Sequence, residues 1–328
     1  MNAPLNGKLV TVFGGSGFIG RQVVRAFARR GWRVRAAERR PDLALNLMTN
    51  GAVGQVMAVQ ANIRPPYRAS VERAIEGADA VVNLVGILAA SGKQTFEAVH
   101  ADGAGMVAEC AKAAGITSFV QMSALGANAD SASAYARTKA EGEAKVLAAL
   151  PEAVIVRPSI VFGPDDTFFN KFASMAASAP VLPLIGGGQT RFQPVYVSDV
   201  AEAIANAIEG RATPGAIYEF GGPEVMTFKA ILELVLKETG RKRLLAPLPF
   251  GVASLIAKVV QLLPGAPLTT DQVTLLKSDC VVSPNAAAAG LTLAGLGIQP
   301  HTVEAIVPAY LWRFRERGQF DRSTDASY

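Results

Sequence analysis

The sequence predicts an α/β protein: a doubly wound parallel sheet with a smaller C-terminal lobe. Three observations carry this reading. An apolar run at residues 9–13 ends in a turn with glycines spaced by three, Gly14, Gly17 and Gly20. From there to residue 157, short β-branched runs alternate with longer helical patterns, the order of parallel strands joined by crossover helices. One run, residues 80–85, is apolar almost throughout, as a strand covered on both faces must be. Past residue 165 the alternation breaks. The expected division is 1–165 for the sheet and 166–328 for the smaller lobe, interleaved without a clean linker.

Half of the 328 residues are apolar and 18% are charged, so the chain is globular and large enough for a well-buried core. The net charge is +5, and arginines crowd the first helix and the second strand with its exit: Arg21, Arg25, Arg29, Arg30, Arg33, Arg35, Arg39 and Arg40. A solvated helix face and an acidic partner both fit this cluster. Nucleic acid does not, because no basic patch is interleaved with aromatics. Two cysteines, Cys110 and Cys280, form no disulfide framework, which fits a reducing compartment. The first residues lead straight into a strand and leave no room for a secretory signal. No apolar run has the length of a membrane span. The expected location is cytoplasmic, or peripheral on the cytoplasmic face of the inner membrane.

Taken in order, the first strand, the glycine turn and the helix opening at Phe18 form a site for a dinucleotide pyrophosphate. Gly14 takes the tight turn, Gly17 admits the phosphates close to the backbone, and Gly20 lets the helix pack on the sheet. The N–H groups and positive end of that helix face the anion. A second strand at 32–37 ends in Glu38-Arg39-Arg40-Pro41. An acid there favours a ribose 2′-hydroxyl, and arginines favour a 2′-phosphate. Two positive charges against one negative favour NADP(H), with NAD(H) as the other candidate. A third strand at 55–60 leads to Asn62, Ile63 and Arg64, an edge for the adenine pocket, and then to a helix at 70–76. The strand at 80–85 ends beside Gly86, where a ribose or nicotinamide can approach the backbone.

A helix at 95–114 carries His100, read as a packing residue and not a ligand. A strand at 118–122 ends at Ser123, and twelve residues later Tyr135 and Lys139 stand at i and i+4, on one helical face. An ammonium beside a phenol favours the phenolate, which makes tyrosine a usable acid or base near neutrality. Lysine also holds a nicotinamide ribose, while serine steadies a substrate oxygen. The spacing alone is common; its place after the fifth strand is what counts. A sixth strand at 153–157 precedes Pro158. Beyond it lie the turn Gly186-Gly187-Gly188 and a strand entering a helix capped by Ser198 or Asp199. The candidate catalytic set is Ser123, Tyr135 and Lys139. The candidate cofactor set is Gly14, Ser16, Gly17, Phe18, Ile19, Gly20, Arg39, Arg40, Asn62, Ile63, Leu84, Val85, Gly86, Tyr135, Lys139 and Pro158, with no metal ligands.

GGSGFIG, VVNLVG, Ser123 with YARTK, and VRPSIVFGP together resemble the extended and atypical short-chain dehydrogenase/reductases. EGEAKVLAALPEAVIVRPSIVFGPDDTFFNKFASMA followed by FQPVYVSDVAEAI narrows this. It resembles the NADPH-binding accessory subunits of respiratory complex I and their bacterial relatives, as does the tail with LTTDQVTLLKSDCVVS and YLWRFRERGQF. The resemblance spans essentially the whole chain. It implies a Rossmann-type fold, a pyrophosphate at Gly14, Gly17 and Gly20, a 2′-phosphate at Arg39, and a ribose at Tyr135 and Lys139. It also implies a tightly held, structural cofactor and complex I subunits as partners. One departure stands out: Glu38 lies where NADP-binding relatives usually carry a neutral residue.

Two functions are implied, from different classes. One is an assembly or accessory protein that holds the nucleotide and docks on a respiratory complex or membrane surface. The other is an oxidoreductase acting on a small lipophilic carbonyl or alcohol, such as a quinone precursor or isoprenoid. The apolar segment 249–264, with Phe250, Leu255, Ile256, Val259, Val260, Leu262 and Leu263, is too short to span a bilayer. It reads either as a buried helix of the smaller lobe or, with Trp312 and its arginine neighbours, as a docking face.

Overall fold

Six strands account for the early alternation: β1 (Leu9–Phe13), β2 (Arg33–Glu38), β3 (Val56–Gln60), β4 (Ala80–Asn83), β5 (Ser118–Met122) and β6 (Val154–Pro158). The structure is a computed structural model that describes residues 4–261 and 268–318. With the strand Ile217–Phe220 these six form one parallel sheet, in the order 217–220, β6, β5, β4, β1, β2, β3. The order reverses between β1 and β4, and an open α/β sheet has its crevice there, outside the carboxyl ends of the strands.

The helices α1 (Phe18–Arg29), α2 (Arg68–Ile75), α3 (Asp102–Ala113) and α4 (Ala134–Ala149) cover the faces of the sheet. α1 turns Val23, Val24 and Phe27 inward, all fully buried, and Phe27 meets Trp32 edge-on at 5.4 Å. Each such side chain contributes about 1.5–3 kcal/mol by leaving water. Even the one hydroxyl inside β1 is satisfied: Thr11 Oγ1 donates to Ala74 O at 2.8 Å. α4 starts where the sequence places it, because Ser133 Oγ accepts from Ala136 N and caps the helix.

Several expected boundaries shift. β4 stops at Asn83, and Leu84, Val85 and Gly86 form the loop beyond it. The long helix of 95–114 divides into a wide-turn segment, Glu97–Ala101, and α3. The helix Val197–Asn206 begins at Val197, so Ser198 and Asp199 lie in its first turn and not at the cap position.

The chain falls into two compact units. The first contains Met1–Pro158 and takes back Val197–Phe220 and Val282–Gln299; the second contains Ser159–Tyr196, Gly221–Val281 and the segment from Pro300. Against the expected 1–165 and 166–328, the chain thus returns twice to the sheet unit. The first return lays the helix Val197–Asn206 against α1 and adds the edge strand Ile217–Phe220. It also consumes part of the arginine cluster: Arg30 pairs with Glu202 and Glu209 at 2.5 and 2.7 Å. Arg33 and Arg35 are held by backbone carbonyls of Gly7, Ala74 and Glu76.

The second unit has its own core, built on Phe162, Phe169, Phe192 and Phe228. Its helix Phe228–Thr239 is capped by Thr227 and stopped by Gly240, which takes the left-handed backbone at φ 65°. The parallel pair Val181–Ile185 and Leu244–Leu248 leads into the helix Phe250–Val260, which buries only Ala253 and Ala257. That helix is therefore not the core helix of one of the two readings. Leu262 and Leu263 lie outside the described residues.

Candidate functional site

β1 and β4 end side by side at the reversal of strand order: Leu84 N donates to Phe13 O at 3.0 Å, and Gly14 N to Ala37 O at 3.2 Å. Gly14 turns there at φ 80°, a conformation that favours glycine. Gly20 is required by packing, since a Cβ on it would stand 2.1 Å from Gly14 O and 2.7 Å from Gly15 C and Cα. Gly17 differs. Its backbone, φ −67° and ψ 172°, suits any residue, and an added Cβ meets only Gly14 O, at 3.2 Å. The backbone conformation does not demand glycine at 17, and a methyl there asks Gly14 O to give by only a few tenths of an ångström.

Gly17 also caps α1 without a side-chain hydrogen bond, and the first turn of α1 holds no acid. The helix thus presents backbone donors and a positive end to the crevice. A cavity of about 250 Å³ opens at this point. Gly14, Ser16 and Gly17 line it on one side, and Asn62, Ile63 and Arg64 on another; Leu84, Val85, Gly86 and Arg39 face it too. Arg40 does not: it pairs with Asp42 on the surface at 3.1 Å. Phe18, Ile19 and Gly20 sit behind the turn as the first residues of α1. Asn62 folds back, its Oδ1 accepting from Arg64 N at 3.1 Å. Among the described residues Arg64 Nε is buried without a hydrogen-bond partner.

Glu38 reaches into the turn, where its Oε1 accepts from Ser16 N at 2.5 Å. Burial pushes its carboxyl up from the usual range, while the bonds from Ser16 and the charge of Arg39 pull the other way. The acid and the arginine from the end of β2 therefore face the same cavity.

Lys139 stands at the Gly86 end. A Cβ on Gly86 would lie 3.2 Å from its Nζ, so the missing side chain is what admits the ammonium. Nζ donates to Met122 O at 3.3 Å and lies 5.8 Å from the ring centre of Tyr135. Burial brings Lys139 down to about 8, against the opposing charge of Glu143 one turn on. Glu143 is itself held by both of its oxygens on Arg157. Ser123 follows Met122, buried, and its Oγ has no partner among the described residues. Its backbone N–H donates to Val156 O, and Leu125 N to Pro158 O, so β6 with Pro158 braces this loop; neither Ser123 nor Pro158 lines the cavity. A buried hydroxyl without a partner is costly unless a bound molecule completes it. Together with an unforced Gly17 and an uncapped helix end, it fits a dinucleotide whose nicotinamide end reaches Lys139.

His100 is more than packing. Ile87 N donates to its Nε2 at 3.0 Å, which fixes the neutral tautomer with the proton on Nδ1. Nδ1 lies 3.2 Å from Thr138 Oγ1, which donates onward to Ala134 O at 2.8 Å. Its ring meets Tyr135 edge-on at 5.3 Å. Burial, and the charge of Lys139, hold it down to about 3. His100 thus ties the loop after β4 to the first turn of α4, a role that no local pattern in the sequence announces. Among the described residues no group of acids, histidines and cysteines is arranged to hold a metal ion.

Comparison with known proteins gives the family. The NAD dependent epimerase/dehydratase family matches residues 10–221. The chain is 34% identical over 326 residues to the NADH dehydrogenase [ubiquinone] 1 alpha subcomplex subunit 9, mitochondrial, of Arabidopsis thaliana, covering 96% of this chain and 80% of that one. It is 36% identical over 200 residues to a ceramide reductase of Caulobacter vibrioides, covering 59% and 58%. The NADPH-dependent quinone oxidoreductase QOR2 of Escherichia coli shares the fold, with a TM-score of 0.71 at 19% identity over 92% of this chain and 99% of that one. With the glycine turn, the switch-point cavity and the parallel sheet all inside the matched span, the chain belongs to the NAD dependent epimerase/dehydratase family.

Proposed function

We propose that this protein holds NADP(H) tightly in the cavity over the glycine turn and serves as an accessory or assembly subunit of an NADH-quinone oxidoreductase. The observation that carries the reading is similarity over nearly the whole chain, both units included, to the alpha subcomplex subunit 9 of NADH dehydrogenase. A shared cofactor domain alone would not extend through the second unit. The partners are then the subunits of that complex, and the location is the cytoplasmic face of the inner membrane. Gly14, Ser16, Gly17 and the first turn of α1 hold the pyrophosphate. Asn62 and Ile63 flank the adenine, Leu84, Val85 and Gly86 lie along the ribose and nicotinamide, and Tyr135 and Lys139 bind the second ribose. Arg39 pairs with the 2′-phosphate, and Glu38 limits rather than abolishes that preference because Ser16 N–H occupies one of its oxygens.

A second reading has specific support. Ser123, Tyr135 and Lys139 are all present, and the ceramide reductase resembles more than half of the chain. The nicotinamide would then supply a hydride to a small lipophilic carbonyl. On the protein side, Lys139 favours the Tyr135 phenolate, the Tyr135 hydroxyl passes its proton to the substrate oxygen, and the Ser123 hydroxyl steadies that oxygen.

One experiment addresses both readings. Tyr135→Phe removes one hydrogen bond, about 1 kcal/mol, if the tyrosine only binds ribose. It lowers turnover by roughly 10²–10⁴ if the tyrosine transfers a proton. The expected result is a near-silent Tyr135→Phe in a strain assayed for assembled NADH-quinone oxidoreductase, beside loss of assembly when Gly17→Val blocks the nucleotide. A Tyr135→Phe strain as impaired as the Gly17→Val strain, with its complex still assembled, would overturn the accessory reading. Titrating NADPH and NADH into the protein tests the cofactor: Arg39→Ala is expected to weaken NADPH by about 1–3 kcal/mol and leave NADH unchanged.

A further inference from the structure

The helix Phe250–Val260 is amphipathic in the reverse sense. Past Phe250, which packs against the same cluster at its start, its inward contacts are small: Ala253 and Ala257, four apart and fully buried, pack with Ile185 and Val273. Its large aliphatics face out. Val252, Leu255, Ile256 and Val259 are 47%, 66%, 42% and 66% exposed, and their spacing of i, i+3, i+4 and i+7 sets them on one stripe. Burying residues of this size is the main driving force of folding, so a helix that turns alanines in and these out leaves its strongest apolar face for a second phase.

The charge around the stripe narrows what that phase is. Residues 239–270 contain no acid, but they contain Arg241, Lys242, Arg243 and Lys258. Lys258 stands about 110° round the helix from the middle of the stripe. From there its stem lies along apolar surface while the ammonium reaches out. Lys242 is exposed just before the strand Leu244–Leu248 that leads into the helix; Arg243 beside it is braced by the carbonyl of Ala176, while Arg241 is held by the carbonyl of Phe314 and paired with Glu316 at 3.8 Å, so Lys242 and Lys258 are the cations left outward. The first acid after the helix, Asp271, lies in the first turn of the neighbouring helix Thr270–Leu275. At eleven residues the helix is about 16 Å long, roughly half of a hydrocarbon core. It fits along a bilayer surface and not across one, and no described helix is long and apolar enough to cross.

We propose that the stripe Val252, Leu255, Ile256 and Val259 seats this protein on an anionic lipid surface, with the exposed Lys258 and Lys242 meeting the headgroups. This deepens the accessory-subunit reading by naming a docking surface. It needs neither nucleotide nor respiratory complex, so its test stands or falls independently of that reading.

The test is flotation of the full chain with vesicles of phosphatidylcholine alone, and of phosphatidylcholine and phosphatidylglycerol in equal parts. The wild type is expected to float with the mixed vesicles, far less with the neutral ones, and less again in high salt. Leu255→Gln with Val259→Gln is expected to lower partition on the order of tenfold per residue, about a hundredfold together. Its melting temperature and NADPH binding should stay unchanged, since both side chains are mostly in water already. Lys258→Gln should lower partition about fivefold on the mixed vesicles only. Should the double variant fail to fold, Leu255→Gln alone carries the test at its tenfold effect. A wild type that floats with neither vesicle, or a folded variant that floats as the wild type does, would overturn the proposal. So would a wild-type dimer that binds no vesicle and falls apart in the double variant, since the stripe would then belong to a second copy of the chain.

Discussion

Gly17→Ala and Gly20→Ala look alike on paper and should behave oppositely. At position 17 the backbone is ordinary, and the new methyl meets one carbonyl oxygen at 3.2 Å. Alanine caps a helix less well than glycine, by under about 1 kcal/mol. The reduced freedom of the unfolded chain returns about 0.4–1 kcal/mol. With the slight shift asked of Gly14 O, the net loss is about 1 kcal/mol or less, and the melting temperature of the nucleotide-free protein should fall by no more than about 2–4 °C. On the proposed site, however, the methyl would stand where the pyrophosphate approaches the backbone. Losing one or two charge-assisted N–H bonds at about 1.5–3 kcal/mol each weakens nucleotide binding by roughly ten- to a thousandfold or more. At position 20 the methyl lands 2.1 Å from Gly14 O, with Gly15 backbone at 2.7 Å, and no flexible side chain is there to yield. α1 must lift off the turn together with Val23, Val24 and Phe27, which costs about 1–3 kcal/mol or more before any ligand is considered. Thermal melts without nucleotide and calorimetric titration with NADPH separate the two. If Gly17→Ala binds NADPH as tightly as the wild type, or melts as early as Gly20→Ala, the pyrophosphate does not lie on Gly17 and the site has been misplaced.

The buried titratable groups give two further expectations. Lys139 is held down to about 8 by burial, below the roughly 10.4 of a free lysine, so the folded state releases its proton first. Its contribution to stability therefore rises as pH climbs from about 8 towards 10.4, and Lys139→Met should abolish that rise in a pH series of denaturant melts. NADPH affinity should fall over the same alkaline range if the ammonium grips the ribose. His100 is held down to about 3, so the stability it lends is full above about 6.5 and is lost as pH falls, at up to about 1.4 kcal/mol per pH unit. His100→Asn should flatten the acid limb of the stability curve between about pH 6 and pH 4. An unchanged slope would mean that His100 already protonates in the folded protein.

The sequence by itself determined the sheet unit and one end of its site. Period and composition suffice there: a β-branched run, a glycine turn and an amphipathic helix repeat as local signals, and each predicted strand of the sheet forms within a residue or two. That Gly14, Ser16, Gly17, Asn62, Ile63 and Leu84 to Gly86 line one cavity follows from each lying just past a strand end, since parallel strands bring their carboxyl ends together. What only the tertiary structure decided depends on distance across the chain. The strand Ile217–Phe220, Ile-Tyr-Glu-Phe, lacks the continuous β-branched run that marked β4, and it joins the sheet by pairing with β6 from some sixty residues away. Charge alone did not separate the two adjacent arginines of the 39–40 corner, but Arg40 turns to Asp42 while Arg39 faces the cavity, and Glu38 is drawn to Ser16 N–H across 22 residues. His100 reads as a helix residue, yet it receives Ile87 N–H and braces Thr138, contacts separated by 13 and 38 residues. The helix Phe250–Val260 carries apolar residues on most of its circumference, so its period could not say which face turns inward. Packing settled that: Ala253 and Ala257 lie fully buried against Ile185 and Val273, with Phe250 against the same cluster, and Val252, Leu255, Ile256 and Val259 are left outside.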